Sequence, residues 1–148
     1  MKSIYQDKIF AEFWNNRSGE DGEDYKRFVL DPLMLSNLGS LEKKLVLELG
    51  CGNGYMSNKF LGKQARKVIL MDISAENLRY AKEKSEDQRV KFVEHDATTK
   101  WPFKTQSIDV IYSNMVLNEL PEINMAISEA FRVMKPGGTF IFSVLHPI

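Results

Sequence analysis

Five short apolar segments, separated by helical patterns, restrict the folds open to this chain more than any other feature. Helices between consecutive strands are typical of right-handed βαβ units, whose strands run parallel in one sheet with helices on both faces. The sequence therefore predicts an α/β fold built on an open, doubly wound, mainly parallel sheet. The predicted strands are Leu45–Leu49, Lys67–Asp72, Val90–His95, Ile108–Ser113 and Thr139–Leu145.

Local signals place two of the intervening helices. Ser74 is the predicted N-cap of a helix that runs through Leu78 and Ala81. Pro121 suits the first position of another helix, which ends at a tight turn over Lys135–Gly138. A broad apolar stripe on this second helix predicts that it packs on the sheet. The stripe comprises Ile123, Ala126, Ile127, Ala130, Phe131 and Met134.

The N-terminal region is predicted to form helices as well. Its second apolar segment, Tyr25–Leu38, is interrupted by Asp31-Pro32. Proline disfavours a helical residue before it but fits a first helical position. We therefore expect one helix to end near Leu30 and another to begin with Asp31 as its cap. Gly39 is the expected stop of the second helix.

Composition is that of a globular protein of one domain, with 148 residues of which 43% are hydrophobic. Twenty basic residues balance twenty acidic ones, a distribution that does not favour binding to nucleic acid or anionic membranes. A single cysteine excludes a disulfide framework and a multi-cysteine zinc site, and no metal is expected. The chain shows no signal sequence and no membrane-spanning segment, so we expect a cytoplasmic protein. We divide it into an N-terminal helical cap, residues 1–40, and a core, residues 41–148.

The first predicted strand ends in Glu48, which precedes a turn with glycines at alternate positions, Gly50, Gly52 and Gly54. Glycine lets the backbone turn sharply and lets a ligand approach closely. A dinucleotide site requires the spacing Gly-x-Gly-x-x-Gly, so that a pyrophosphate can lie at a helix N-terminus. That spacing is missing here, and Glu48 would repel a pyrophosphate while favouring a cation. The glycine spacing therefore disfavours a nicotinamide-dependent oxidoreductase, which stays a weaker alternative among the possible functions.

Polar residues also end the next three predicted strands. Asp72 can accept hydrogen bonds from both hydroxyls of a ribose, and Asp96 offers an acceptor to the amine of an adenine. Asn114 and Met115 follow the fourth strand, on the far side of the crevice. Ligands of open α/β sheets bind outside the carboxyl ends of the strands. The pattern thus predicts a pocket for a ligand with an amine, a ribose and an adenine, but no phosphate.

At this point the sequence resembles the class I S-adenosylmethionine-dependent methyltransferases. The resemblance rests on several motifs in the family's order and spacing, and it extends over nearly the whole chain. The motifs are FWNNRSGEDGEDYKRFVLDPLML (13–35), LELGCGNG (47–54), Asp72, HDA (95–97), SIDVIYSNMVLNEL (107–120) and FRVMKPGGTFIFSV (131–144).

The resemblance implies the strand order 3-2-1-4-5 and a site for S-adenosyl-L-methionine, with S-adenosyl-L-homocysteine as the product. By this resemblance Glu48 helps to neutralise the amine of the methionine part, and Asp72 holds the ribose. Ile73 lies beside the adenine, while Asp96 and Ala97 meet its edge. The residues expected to bind the cofactor are Glu48, Gly50, Cys51, Gly52, Asn53, Gly54, Asp72, Ile73, Asp96, Ala97, Asn114 and Met115.

No catalytic residue is assigned from the sequence. Methyl transfer is an in-line displacement that can be accelerated by holding donor and acceptor in near-attack geometry. His95 and His146 are candidate general bases, although His95 also fits half-buried packing and His146 stands close to the chain end. Glu119 follows the fourth strand and allows two interpretations. It is either a residue that contacts the substrate or an exposed acid that precedes a helix. Cys51 fits a small filler in the turn better than a nucleophile.

Aromatic residues of the N-terminal region allow two interpretations. Trp14, Tyr25 and Arg17 could form a lid over the cofactor. Trp14 and its apolar neighbours could equally dock the first helix on the sheet. The sequence leaves both interpretations open.

The function that these residues predict is methyl transfer to a small-molecule acceptor. The alternative is a module or remnant domain that binds the cofactor without turnover. The family usually continues with two more strands, so we expect a core truncated at its C-terminus. The fifth strand is apolar on both faces, and its free edge predicts a homodimer through that edge.

Overall fold

The structure, a computed structural model, describes residues 3–146 and contains one sheet of five parallel strands in the order β3-β2-β1-β4-β5. The predicted fold class and strand order are therefore confirmed. The strands are β1 Leu45–Leu49, β2 Lys67–Asp72, β3 Val90–Glu94, β4 Ile108–Asn114 and β5 Met134–Ser143.

Helices cover both faces of this sheet and form a group at the N-terminus. Central strand β1 contributes to the cores on both faces, since Val46 packs into one apolar cluster and Leu47 into the other. Helices α2, α3 and α4 cover the Val46 face, and α5 covers the Leu47 face. The α-helices are α1 Lys8–Ser18, α2 Asp31–Leu38, α3 Ser57–Gly62, α4 Ala75–Lys84 and α5 Ile123–Val133. The 3₁₀-helices are Ile4–Gln6 and Leu117–Glu119, and a π-helical turn covers Lys26–Leu30.

The N-terminus of α4 follows the sequence prediction, while α5 begins later than predicted. The Ser74 hydroxyl accepts a hydrogen bond from the Asn77 amide at 3.2 Å and caps α4. Helix α5 begins at Ile123 rather than at Pro121, because the Glu122 carboxylate caps it by accepting from the Asn124 amide at 3.0 Å. The sequence patterns did not predict the short helix α3.

Strand β5 begins and ends earlier than predicted. Met134 pairs with Ile108, whereas Thr139 pairs with Val110, so the residues between them form a bulge in the strand. The predicted turn at Lys135–Gly138 therefore lies inside β5. The strand ends at Ser143, and the following Val144 and Leu145 are 43% and 64% exposed.

The predicted boundary between Leu30 and Asp31 separates two helical types in the structure, but the predicted role of Asp31 as a cap is wrong. The π-helical turn Lys26–Leu30 runs directly into α2, and Asp31 has helical dihedral angles, φ −63° and ψ −46°. The amide of Asp31 donates to the Lys26 carbonyl, five residues back. In an α-helix the Pro32 ring would clash with the carbonyl four residues before it, and the wider π turn relieves this contact. Asp31 is thus no cap, and its carboxylate turns inward. Gly39 ends α2 as predicted, with φ +64°.

Several apolar side chains predicted to pack are exposed. On α1, Ile9 and Phe13 are 79% and 54% exposed, while Ala11 is buried. On α5 the predicted stripe is only partly buried, since Ala126 and Ala130 pack on the sheet and Phe131 is 79% exposed.

Within residues 3–146, β5 pairs only with β4, and its outer edge is open. The homodimer through this edge, the truncated core and the division at residue 40 stay predictions. Every helix in the described part of the chain is too short or too polar to cross a lipid bilayer.

We predict that Asp31→Ala lowers the free energy of unfolding by about 3 kcal/mol or more, because it breaks a buried ion pair with Lys59. The measurement is urea denaturation followed by circular dichroism. Asp87→Ala is the matched control, since it removes a half-buried surface carboxylate paired with the exposed Arg89 and should change stability by less than about 1 kcal/mol. Equal losses in the two variants would contradict the importance of Asp31.

Candidate functional site at the carboxyl ends of the strands

A cavity of about 990 Å³ lies at the carboxyl ends of the strands, where the order of the sheet reverses between β1 and β4. Its volume is at the upper end of ordinary ligand cavities, which span roughly 300–1,000 Å³. The cavity brings together eleven of the twelve residues predicted to bind the cofactor. They are Glu48, Gly50, Cys51, Gly52, Asn53, Asp72, Ile73, Asp96, Ala97, Asn114 and Met115.

Gly54 is the predicted residue that the cavity lining lacks. A Cβ at this position would lie 2.6 Å from the Ala81 Cβ, so Gly54 permits close packing of the turn on α4. Cys51 is buried beside it in the loop, which agrees with its interpretation as a filler.

The turn after β1 needs glycine at Gly50 and Gly52 for different reasons. Both have positive φ, +66° and +54°, which other residues adopt only with strain. A Cβ on Gly50 would lie 2.5 Å from the Val116 side chain, so this glycine lets the segment after β4 pack on the turn. A Cβ on Gly52 would meet nothing within 4 Å. Gly52 therefore faces open space into which a ligand can approach.

Asp72 holds the rim of the turn in place. Its Oδ2 accepts from the Gly52 amide at 2.8 Å, and its Oδ1 accepts from the Ser74 amide at 2.9 Å and from Asn77 Nδ2 at 3.3 Å. Burial raises the pKa of this carboxyl, and the hydrogen bonds oppose that shift. Because a carboxylate has about four acceptor positions, one position remains for a ligand hydroxyl.

Glu48 is the most unusual group in the lining. Its side chain is 4% exposed, and Oε2 has no hydrogen-bond partner among the described residues. Burial raises the pKa of Glu48 well above its usual range, and the nearby charge of Asp31 raises it further, while Lys26 and Lys59 act in the opposite direction. A buried acceptor without a donor is costly, so this floor is suited to a ligand that brings a positive charge or an N–H group.

Behind the floor, the Asp31 carboxylate is 1% exposed and joins four parts of the fold. Its Oδ1 accepts from the hydroxyls of Tyr55 and Tyr112 at 3.3 and 3.2 Å and from Asn114 Nδ2 at 2.8 Å. Its Oδ2 lies 3.3 Å from Lys59 Nζ. Burial raises the pKa of both tyrosines, so they remain hydrogen-bond donors.

The side chain of Asn114 is used by the protein itself. Its amide nitrogen donates to Asp31, and its Oδ1 accepts from the Ser143 hydroxyl at 2.7 Å. Any contact of Asn114 with a ligand would therefore involve its backbone. Met115 follows with φ +58°, a strained conformation that its amide supports by donating to Ser143.

The end of β3 forms the other wall of the cavity. Asp96 Oδ1 accepts from the amide and the hydroxyl of Thr98, at 2.8 and 2.7 Å. His95 Nε2 lies 3.0 Å from the Lys100 carbonyl oxygen and 3.0 Å from the Thr99 hydroxyl. Since a carbonyl oxygen only accepts, we assign the ring proton to Nε2, which is then engaged in structure. This geometry fits the packing interpretation of His95 better than a role as a base.

The N-terminal region supplies a further part of the cavity lining. Trp14 lines the cavity, and its buried Nε1 has no acceptor among the described residues. Tyr25 also lines it, whereas Arg17 pairs with Glu23. Both the lid and the docking interpretation of Trp14 hold in part, because α1 packs on α4 and its Trp14 ring faces the cavity. His146 is exposed and lies outside the cavity lining.

Sequence reasoning missed three residues of this site. Asp31 was interpreted as a cap, although an acid within an apolar helical segment could have suggested burial. Tyr5 and Lys26 line the cavity without belonging to a pattern that the sequence reveals. Asn53 was expected to bind a ligand, yet its Nδ2 donates to Asn15 Oδ1 and to the Gly19 carbonyl, both at 3.0 Å, and docks α1 on the turn.

The fold and the site together define a nucleoside-binding protein of the Rossmann-like class, with acids at successive strand ends and a glycine turn unsuited to a pyrophosphate. Residues 47–142 match the family model described as a methyltransferase domain. The chain therefore belongs to the class I S-adenosylmethionine-dependent methyltransferase family, as its motifs indicated.

Comparison with known proteins supports this membership. The chain is 34% identical over 114 residues to the malonyl-[acyl-carrier protein] O-methyltransferase of Hamiltonella defensa, with 76% of this chain and 42% of that protein covered. It is 29% identical to the ubiquinone biosynthesis O-methyltransferase of Hydrogenovibrio crunogenus, with coverage of 92% and 57%. The chain thus spans about half the length of these relatives.

A solved structure shows the same fold. The S-adenosylmethionine-dependent methyltransferase of Mesorhizobium loti superposes with a TM-score of 0.73 at 23% identity. The match covers 78% of this chain and 53% of that one.

We predict that Gly50→Ala destabilises the fold by about 2–4 kcal/mol, and Gly52→Ala by about 1–2 kcal/mol. Both variants strain a positive φ, but only the first drives a methyl group into Val116. Chemical denaturation measures the difference. The double variant Gly50→Ala/Val116→Ala should recover part of the loss, and failure to recover any of it would contradict the packing argument.

We predict that Glu48→Gln stabilises the ligand-free protein increasingly as pH rises. A carboxyl whose pKa is raised in the folded state binds more protons there than in the unfolded chain, so folding stability falls as pH rises above its ordinary pKa of 4.5. Urea denaturation measures the free energy of unfolding of both proteins at pH 5 and pH 8. The difference between variant and parent should increase by about 1–3 kcal/mol from the lower pH to the higher. A constant difference would show that Glu48 ionises normally.

Proposed function

We propose that this protein transfers the methyl group of S-adenosylmethionine to a small-molecule acceptor. The observation that carries the proposal is the buried Glu48 carboxylate, whose Oε2 lacks a donor at the floor of the cavity. The methionine part of S-adenosylmethionine brings an ammonium and a sulfonium, both positively charged. Among the described residues of the lining, carboxylates outnumber lysines. They are Glu23, Glu48, Asp72, Glu94, Asp96 and Glu119, against Lys26.

The remaining residues fit the rest of the cofactor. The free acceptor position of Asp72 suits a ribose hydroxyl, and open space at Gly52 suits close approach of the ligand to the backbone. Ile73 and Ala97 offer apolar contact beside an adenine, and Asp96 offers an acceptor to its amine. A pyrophosphate would meet the carboxylates of Glu48 and Asp72 instead of free amides, which disfavours the nicotinamide alternative.

S-adenosylmethionine, when bound, supplies an electrophilic methyl group on a positively charged sulfur. The protein's part is to hold that group and the acceptor in line and to exclude water. Glu48 fixes the ammonium, and Asp72 fixes the ribose. The turn at Gly50 and the segment after β4, which touch through Val116, form the wall nearest the methionine part.

A module that binds the cofactor without turnover remains the second candidate. The chain spans about half of its relatives' length, so the contacts that complete an acceptor site in those proteins are not assigned to this chain. A cytoplasmic location and a small-molecule acceptor belong to the proposal in the same way.

We predict that calorimetry detects binding of S-adenosylmethionine and S-adenosylhomocysteine, and that Asp72→Ala weakens both at least about tenfold, since a charge-assisted contact is lost. Asp87→Ala, a matched change on the surface, should leave both dissociation constants unchanged. Tight binding of NAD alone would overturn the proposal.

Turnover separates the enzyme from the silent binder. Release of S-adenosylhomocysteine should be measured across a metabolite panel with the same preparation. Binding without release in any reaction would favour the binding module.

A further inference from the structure

Part of the cavity lining is left unused by the proposed cofactor contacts, and we call this part the second compartment. Its walls come from the first turn of the chain, Ser3–Gln6, and from the segment after β4, Glu119–Pro121. Ile4, Tyr5, Leu120 and Pro121 make this compartment largely apolar, and Glu119 is its charged group.

Glu119 is held in a defined position within that compartment. The Tyr5 hydroxyl donates to Glu119 Oε2 at 2.7 Å, and Asn118 Nδ2 donates to Oε1 at 2.6 Å. Burial raises the pKa of Tyr5, and the Glu119 carboxylate raises it further, so the hydroxyl keeps its proton and remains the donor. Each oxygen of Glu119 therefore has one oriented donor and retains acceptor capacity toward the cavity.

Tyr5, the donor in this contact, is itself held in place. A capping box holds the turn that carries Tyr5, with the Ser3 hydroxyl accepting from the Tyr5 amide and the Gln6 side chain accepting from the Ser3 amide. The Tyr5 ring packs edge-on against Phe10, with the ring centroids 5.3 Å apart. Glu119 therefore does not depend on a freely moving chain end for its orientation.

The segment that carries Glu119 is directed toward the methionine end of the site. Met115 turns the chain after β4 with φ +58°, and Val116 then packs against Gly50. The 3₁₀-helix Leu117–Glu119 follows at once. Glu119 therefore follows the contact with the glycine turn by three residues and lines the same cavity as Gly50 and Val116.

We propose that Glu119, oriented by Tyr5 and Asn118, is the catalytic residue that binds the reacting O–H or N–H group of the acceptor and takes its proton. The inference rests on the proposed function and specifies its substrate class. The acceptor carries a hydroxyl or amino group on an apolar body and bears no carboxylate near that group.

The proposed step balances in atoms and charge. The proton of the acceptor passes to a carboxylate oxygen of Glu119, and the acceptor's oxygen or nitrogen forms the new bond to the methyl carbon. The bond between that carbon and sulfur breaks, and its electron pair stays on sulfur, which becomes a neutral thioether. Glu119 then returns its proton to solvent, with which its exposed side chain is in contact.

Charge explains the choice of substrate class. An acceptor that reacts through a carboxylate needs no base and would be repelled by Glu119. A hydroxyl or ammonium group is a donor to the same carboxylate and gains from the contact. The apolar walls of the second compartment favour a hydrophobic body for the remainder of the molecule.

Three probes of matched shape test the charge preference: benzylamine, benzyl alcohol and benzoate, each titrated by ligand-observed NMR into protein saturated with S-adenosylhomocysteine. We expect benzoate to bind at least about fivefold more weakly than benzyl alcohol, because two like charges meet. Glu119→Gln should reduce the ratio of the benzoate dissociation constant to that of benzyl alcohol at least about threefold, and Tyr5→Phe should reduce this ratio less. Glu86→Gln, an exposed change outside the cavity lining, should leave it unchanged.

The outcomes separate this inference from the proposed function. Loss of S-adenosylhomocysteine binding in the parent protein would overturn both. Intact binding with a ratio that Glu119→Gln leaves unchanged would overturn the role of Glu119 alone, as would tighter binding of benzoate than of benzyl alcohol, or no binding of any probe.

Turnover provides the second readout. With panels of primary amines, phenols and carboxylic acids, we expect release of S-adenosylhomocysteine with the first two classes. Glu119→Gln should lower kcat about 10²–10⁴-fold while the dissociation constant of S-adenosylhomocysteine stays unchanged. Methylation of a carboxylic acid, or full activity of Glu119→Gln, would overturn the inference.

Discussion

The buried carboxylate of Asp31 is the interaction on which the rest of the structure depends. It joins the N-terminal helices to the glycine turn through Tyr55, to β4 through Tyr112 and Asn114, and to α3 through Lys59. Without it, the hydroxyls of Tyr55 and Tyr112 inside the core would lack an acceptor, which is costlier than losing a contact at the surface. The N-terminal helices are therefore bound to the core at the point where the site is formed.

The same carboxylate shapes the electrostatics of the site. Its charge lies close to Glu48 and adds to the effect of burial in raising the pKa of that carboxyl, and Lys26 and Lys59 oppose this shift without cancelling it. Such an arrangement lowers the stability of the free protein and favours a cationic ligand, which removes the imbalance on binding. A less stable free form is thus the physical counterpart of a selective site.

The cavity is divided by function as well as by position. Strand ends supply the polar contacts suited to a nucleoside, and these come from the rigid part of the fold. The first turn of the chain and the segment after β4 supply the apolar compartment around Glu119. These two segments are distant in sequence and meet only in the tertiary structure, where the Tyr5–Glu119 contact joins residues 114 positions apart.

Local sequence patterns predicted much of the fold and of the strand-end residues. An apolar run followed by glycines predicts a buried strand and a turn, which holds for Leu45–Leu49, and Ser74 caps its helix through a contact three residues away. Asp72 and Asp96 were placed correctly because parallel strands bring their carboxyl ends to one edge. Predictions failed where tertiary contacts override a local conformational preference. A residue before proline disfavours the helical conformation, yet Asp31 adopts it, and its carboxylate contacts four distant partners.

The sequence by itself determined the fold class, the strand order implied by its motifs, and the acids at the edge of the sheet. The fold class and the acids follow from periodicity and spacing, which act over a few residues, whereas the strand order was implied by the resemblance to the family. Only the tertiary structure decided that Glu48 Oε2 lacks a donor among the described residues, that the side chains of Asn53 and Asn114 hydrogen-bond within the protein, and that Tyr5 meets Glu119. The reason is that hydrogen-bond partners and burial depend on residues far apart in the chain, whose encounter no local pattern records.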